Sequence, residues 1–310
     1  MSVWYPCQSD VSTSGGIGRG LASMQSVQPR REANSLLNEE QLRDYERDGF
    51  VLVRGLITPE EADVLRTESH DLIGRLSDAS DPTWASAKEL AGGAPTSLQH
   101  SHDVQFYAAA FSKMLVDNRF TDVAGQVIGT PNVQLHHTKM FVKPPEKGSP
   151  FPMHQDHPFF PHTYHRMAAA IFFLDDAREE KGCVRVVPGS YKNGPLEHIA
   201  EGSFHLPTDE WPIEKSIPVP AKAGDVIFFS YLTVHASGVN TSNEARTTWL
   251  VQFRDPADPP LTDAHSFSLG QGMMLAGVDP TARGHAGKSP AMAGAAMGGG
   301  SMGGGSMGGG

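Results

Sequence analysis

The chain has 310 residues, 39% of them apolar, which suits one sizeable core with insertions, so a second catalytic domain beside it is not expected. Its 35 acidic and 25 basic side chains give a formal net charge of −10 with no dense run of Lys and Arg, which argues against nucleic acid as a partner. No apolar run approaches a membrane span, no signal core is visible, and Cys7 and Cys183 form no disulfide framework or Cys-x-x-Cys pair, so a soluble cytoplasmic protein is expected.

Residues 1–34 mix Ser, Gly, Gln and Arg without periodicity and are expected to be a mobile segment ahead of one folded domain over 35–276. The first helix is expected to begin at Asn38, with Gln41 at capping-box spacing. A second start is sharper, because Thr58-Pro59-Glu60-Glu61 supplies an N-cap, an N1 proline and an N3 glutamate. Both helices are expected to buttress a β core from outside.

Around His154 the sequence reads Phe151-Pro152-Met153-His154-Gln155-Asp156-His157-Pro158-Phe159-Phe160. In extended backbone, residues i and i+2 share a face, so His154 and Asp156 are expected to grip one ion while Gln155 points away. Further on, Gly224-Asp225 is a turn, and the apolar run from Val226 reads as a buried strand with His235 at its end, 79 residues after Asp156. Asn240–Glu244 is polar turn material, and Arg246–Phe253 reads as the strand coming back, a hairpin that would set Arg246 beside His235. Two imidazoles and one carboxylate are the ligand set of a non-haem Fe(II) centre with one open face, and an arginine beyond it suits a carboxylate co-substrate. The residues therefore point to an oxygenase.

Histidines crowd this motif. His162 and His165 read as loop residues that are exposed or hydrogen-bonded, and His157 is balanced between that and a substrate-facing role. His136 and His137 precede the motif, and Phe159 and Phe160 read as core or pocket lining. From Gly277 to residue 310 the chain turns to Gly, Ala and Met and ends in Gly-Gly-Gly-Ser-Met repeats, a flexible tail by composition.

With these residues in place, the chain resembles the phytanoyl-CoA dioxygenase family. The likeness runs from about residue 36 to residue 256 and includes Leu42–Leu56, Pro131–Pro145 with His137-Thr138-Lys139-Met140-Phe141-Val142-Lys143-Pro144-Pro145, and Gly182–Tyr191. It implies a mainly β fold with flanking helices around a double-stranded β-helix, the jelly-roll or cupin-like core. It also implies dependence on Fe(II), 2-oxoglutarate and O2, with His154, Asp156 and His235 as metal ligands and catalytic centre. Arg246 would pair with the distal carboxylate of 2-oxoglutarate, Ser237 would add a hydroxyl there, and Lys139 would line the co-substrate pocket. Ile171 stands where some members carry a tryptophan, and Asp156 stands where related halogenases carry a small residue, so hydroxylation of a C–H bond is favoured, with release of succinate and CO2. The segment Pro82–His102 is the candidate lid by analogy.

The acidic balance disfavours an acyl-CoA and leaves a small metabolite or natural-product intermediate as the expected substrate. A metal-dependent jelly-roll isomerase or hydrolase, and a catalytically silent binding module, are the alternatives. The intact triad with its arginine weighs against both.

Overall fold

The computed structural model describes residues 37–76, 79–80, 91–93, 95–262 and 268–282. The expected mobile segment 1–34, residues 82–90 and 94 of the expected lid and the Gly/Met repeats lie outside the described residues, and Leu98–His102, at the end of the expected lid, are a strand of the larger sheet.

Helix α1 (Glu39–Asp48) starts as its sequence demands: the Asn38 side chain accepts from the Gln41 backbone, and the Gln41 side chain accepts from the Asn38 backbone. It ends at Gly49, left-handed at φ 80°, where an added Cβ would come within 2.5 Å of the Tyr191 ring, so the turn into strand β1 (Phe50–Val53) requires glycine on both counts. Helix α2 (Pro59–Leu76) carries the same reciprocal cap between Thr58 and Glu61. Helices α3 (Ala109–Leu115) and α4 (Asn118–Ile128) follow. No helix among the described residues is long and apolar enough to cross a membrane.

The remaining strands are β2 (Ala79–Ser80), β3 (Leu98–His102), β4 (Val133–Lys143), β5 (Phe151–His154), β6 (Met167–Phe173) and β7 (Val184–Val186). They continue with β8 (Ile217–Val219), β9 (Val226–Ser230), β10 (His235–Ser237), β11 (Arg246–Arg254) and β12 (Met274–Ala276). Two antiparallel sheets result, one in the order β1-β9-β6-β11-β4-β3-β2 with β12 also on β4, the other β5-β10-β7-β8. Neighbours that are distant in sequence, packed as two facing antiparallel sheets, make this the jelly-roll expected from the sequence.

Strand alternation sorts the side chains. On β11, Trp249, Val251 and Phe253 face the helices, where Trp249 meets Phe111 of α3 at 5.1 Å between ring centroids and Phe120 of α4 packs on Phe228 and Phe253. Arg246, Thr248, Leu250 and Gln252 face the other way and line a cavity between the sheets. Ala169, Phe173, Ile227 and Phe229 close the sandwich against Val184, Val186 and Val219 of the smaller sheet. On β4 the pairing slips between Gln252↔His137 and Phe253↔Leu135, leaving His136 as an extra residue. That bulge moves the cavity-facing set onto His137, Lys139 and Phe141.

Two expectations about local structure are corrected. The apolar run does not extend as one strand to His235, because β9 stops at Ser230. There the Ser230 hydroxyl accepts from Leu232 N, Thr233 N donates to Ser230 O, and the Thr233 hydroxyl donates to Gly49 O. This hydrogen-bonded corner sends the chain across to the smaller sheet, where His235 opens β10. Nor do β10 and β11 form a hairpin, since β11 pairs with β4 and β6 in the larger sheet. Arg246 faces the cavity from the opposite sheet.

Candidate metal centre

His154 and His235 are paired across β5 and β10, with ring centroids 4.2 Å apart. Asp156 joins them differently from the expected alternation. Strand β5 ends at His154, and Asp156 sits in helical backbone at the start of a 3-10 turn, while the backbone N–H groups of Asp156 and His157 both donate to Tyr231 O. The turn still delivers the carboxylate: Oδ1 lies 3.8 Å from Nε2 of each histidine, and the three donor atoms all fall within 4.8 Å of one another. Gln155 does point away, bonding Gly194 O, Leu232 O and Leu196 N.

Each imidazole is oriented by its own strand. Nδ1 of His154 faces Pro152 O at 2.8 Å, and Nδ1 of His235 faces Thr233 O at 3.0 Å. A carbonyl can only accept, so both Nδ1 atoms carry the proton and both Nε2 lone pairs are turned to the shared point. Burial, then the neighbouring His235, pulls His154 from its ordinary 6.5 to about 3, and burial pulls His235 to about 4. Both are neutral, the state in which imidazole ligates a metal. Burial pushes the Asp156 carboxyl up, while His154 and a hydrogen bond from Gln252 Nε2 to Oδ2 act in the opposite direction.

The lowered imidazoles have a stability consequence. Below 6.5 the unfolded chain protonates these histidines while the fold keeps them neutral, so the unfolded state binds more protons and stability falls as pH drops from about 6.5 towards 4. His157 and His162, also pulled down by burial, add the same sign. Metal-free protein is expected to lose roughly 1 kcal/mol per such group per pH unit in that window. Urea midpoints at pH 7 and pH 5 check this, and a midpoint that rises on acidification contradicts neutral imidazoles.

Gln252, buried on β11, was not singled out by the sequence reading, although its parity with Arg246 along the strand would have placed it on the cavity face. Its amide holds the carboxylate oxygen turned away from the histidines and so presents Oδ1 to them. Gln252→Leu keeps the bulk and removes the donor. Its expected effect is a fall of roughly 10- to 100-fold in iron affinity, read by anaerobic iron titration, with an unchanged titration counting against the role.

At the other end of the cavity two cations are buried together. Arg246 and Lys143 are register partners on β11 and β4, and both are almost wholly out of water. Lys143 Nζ donates to Ser237 Oγ at 2.7 Å and to Gly238 O at 2.6 Å, and lies 5.3 Å from the Phe151 ring centre. Arg246 donates from Nη1 to Gly182 O, and its buried Nε has no hydrogen-bond partner. Neither cation forms an ion pair with a described residue. Burial pulls Arg246 to about 10; burial, and next the adjacent guanidinium, hold Lys143 well below its usual value. Such a pair calls for an anion from outside the chain. Lys143 was missed in the sequence, where two lysines four apart on one strand were the available signal.

The cavity joins the two ends, with a volume of about 480 Å³. It is lined by all three metal-donor residues, by Arg246 and Ser237, and by Lys139, Ile171, Phe159 and Phe160. Lys139 belongs to the metal end: it is opposite Leu250, four residues along β11 from Arg246, or about 13 Å of strand. His137 also lines the cavity, whereas His157, His162 and His165 do not. His165 Nδ1 lies 2.6 Å from the Tyr231 hydroxyl, and His162 Nδ1 donates to Phe160 O.

Comparison with known proteins agrees with this geometry. The family model of phytanoyl-CoA dioxygenase (PhyH) matches residues 45–248. A probable alpha-ketoglutarate-dependent hypophosphite dioxygenase of Stutzerimonas stutzeri is 26% identical over 77% of this chain and 86% of its own length. An ectoine dioxygenase of Bordetella bronchiseptica is 25% identical over 66% and 71%. The crystal structure of the epimerase SnoN in complex with Fe3+, alpha ketoglutarate and nogalamycin RO superposes with a TM-score of 0.60 at 23% identity, covering 79% of this chain and 91% of that one, a likeness of fold.

Proposed function

The chain belongs to the phytanoyl-CoA dioxygenase family and is an Fe(II)- and 2-oxoglutarate-dependent oxygenase, and on that premise we propose that His154, Asp156 and His235 hold the iron. One observation carries the assignment: among the described residues this is the one group of three His, Cys, Asp or Glu donors close enough together to share an ion, and it opens on a cavity that Arg246, without an ion pair to any described residue, also lines. When bound, Fe(II) and 2-oxoglutarate activate O2 and supply the oxidising power.

The chain's own groups then have separate tasks. The backbone carbonyls of Pro152 and Thr233 fix the two imidazoles, and Gln252 fixes the carboxylate. Arg246 receives the distal carboxylate of 2-oxoglutarate through a charge-assisted contact. Ser237 already accepts from Lys143, which leaves its own O–H to donate to that carboxylate. Ile171, Phe159 and Phe160 keep the cavity apolar between these polar points.

We read the reaction as hydroxylation of a C–H bond of a small metabolite, within secondary metabolism. Ectoine and hypophosphite, in the names of two relatives, are both small and polar, and ectoine, which carries C–H bonds, fits that reading. An isomerase or hydrolase using a Lewis-acid metal has no use for a buried anion holder, and the Arg246–Lys143 pair counts against it. The test is anaerobic addition of Fe(II) and then 2-oxoglutarate, watching for the visible metal-to-ligand charge-transfer band. Iron-loaded, folded protein that gives no band refutes the 2-oxoglutarate site.

A further inference from the structure

We propose that Lys139 anchors an anionic headgroup of the primary substrate, so that the cavity selects a small molecule carrying a carboxylate or phosphonate. The inference rests on the iron and 2-oxoglutarate reading above. Its starting point is the distribution of charge around the cavity. Among the described residues, Asp156 is the one carboxylate in the lining, against Lys139 and Arg246. The charge of iron(II) and that of Arg246 are balanced by Asp156 and the doubly anionic co-substrate. That leaves the two lysines of β4, Lys143 with hydrogen bonds to Ser237 Oγ and Gly238 O and Lys139 with none.

Its neighbours do not neutralise it. Lys139 is half-buried and has no hydrogen bond and no ion pair with any described residue, whereas the buried lysines have theirs: Lys143 on Ser237 and Gly238 O, and Lys181 on Glu244. Withdrawal from water pulls Lys139 below its ordinary value, and Asp156 and then Asp103 act in the opposite direction through the field. Asp103 is outside the cavity lining and is occupied by Leu269 N at 3.1 Å. A half-buried ammonium facing a cavity without a contact partner is open to a ligand oxyanion, which supplies a charge-assisted one.

Position adds to charge. Lys139 is paired to His102 on β3 and to Leu250 on β11, on the metal side of the cavity and about 13 Å of strand from the Arg246 end, a separation that suits different anions at the two ends. His100, His102 and His137 line the same region and add hydrogen-bond donors or acceptors around a headgroup. Phe141, Phe159 and Phe160 supply an apolar wall for the rest of the molecule. A headgroup held by Lys139 tethers a short substrate beside the three metal donors, which is the positioning that site-selective C–H oxidation requires.

The test compares wild type, Lys139→Met and Lys139→Arg, each loaded anaerobically with Fe(II) and 2-oxoglutarate. The charge-transfer band first gives the 2-oxoglutarate affinity. Butanoate, propylphosphonate and the neutral butanamide are then titrated, with binding read from the shift of that band and from calorimetry. The expected result is that an anion binds wild type at least tenfold tighter than butanamide. Lys139→Met should lose that advantage, Lys139→Arg should keep most of it, and all three should hold 2-oxoglutarate alike. The tighter of the two anions identifies the headgroup. Equal binding of amide and anion, failure of both anions, or unchanged anion binding in Lys139→Met each overturns the proposal. A tenfold loss of 2-oxoglutarate affinity in Lys139→Met also overturns it, and assigns the lysine to the co-substrate. Absence of the band in wild type would instead refute the underlying iron and 2-oxoglutarate reading, and the proposal with it.

Discussion

Asp156→Ala is expected to lower turnover by roughly a thousandfold or more, equivalent to about 4 kcal/mol, while leaving the fold intact. The separation of these effects follows from where Asp156 sits. Its backbone N–H and that of His157 bond Tyr231 O, so the turn is held by the main chain and survives loss of the side chain. Its carboxylate is buried and bonded to Gln252, with Oδ1 directed to the two Nε2 atoms. Removing it leaves two neutral imidazoles to hold a dication without a compensating charge. Asp156→Asn is the sharper control, since it keeps the shape and removes the charge, and it should lie nearer alanine than wild type. Iron retained after desalting, circular dichroism and succinate release together decide the matter. A folded Asp156→Ala protein with a tenth of wild-type turnover at saturating iron would show that the carboxylate is not a ligand.

The identities of the donors were legible because ligand chemistry depends on residue type, and the helix starts at Asn38 and Thr58 were legible because caps close within four residues. The route by which the donors meet was much less so. His154 and Asp156 were assigned to alternating strand positions, yet Asp156 reaches the ion site from a 3-10 turn, because Tyr231 O captures two successive N–H groups from a loop 75 residues away. The run ending at His235 looks uniformly apolar, and only Ser230 and Thr233 hint at the corner that moves the chain from one sheet to the other. Arg246 was placed on a hairpin beside His235, but strand pairing is a tertiary choice, and β4 and β6 win it. Gln252 and Lys143 escaped notice for a related reason. Parity with Arg246 on β11 and with Lys139 on β4 was the available signal for each, but a strand's parity says nothing until it is known which face meets the cavity, and the bulge at His136 breaks that count within β4.

Arg246→Met is expected to weaken 2-oxoglutarate binding roughly a hundredfold, about 3 kcal/mol, without lowering the stability of the ligand-free protein. The two halves of this expectation have one cause. In the absence of co-substrate, Arg246 is a buried cation facing a second one, Lys143, with its Nε unpartnered and a single hydrogen bond to Gly182 O in return. Desolvation and like-charge repulsion are therefore built into the site and are relieved only when a carboxylate arrives. Methionine fills much of the same volume, removes the repulsion and lets Lys143 keep its bonds to Ser237 and Gly238 O. Arg246→Lys retains the charge but not the paired N–H geometry, so its 2-oxoglutarate affinity should fall between the two. A guanidinium serving the fold would behave in the opposite way, with Arg246→Met losing several degrees in thermal unfolding and its 2-oxoglutarate titration moving little. Thermal unfolding of the ligand-free proteins, set beside the charge-transfer titration, separates the two cases, because only a site strained for its ligand gives up affinity while keeping or gaining stability.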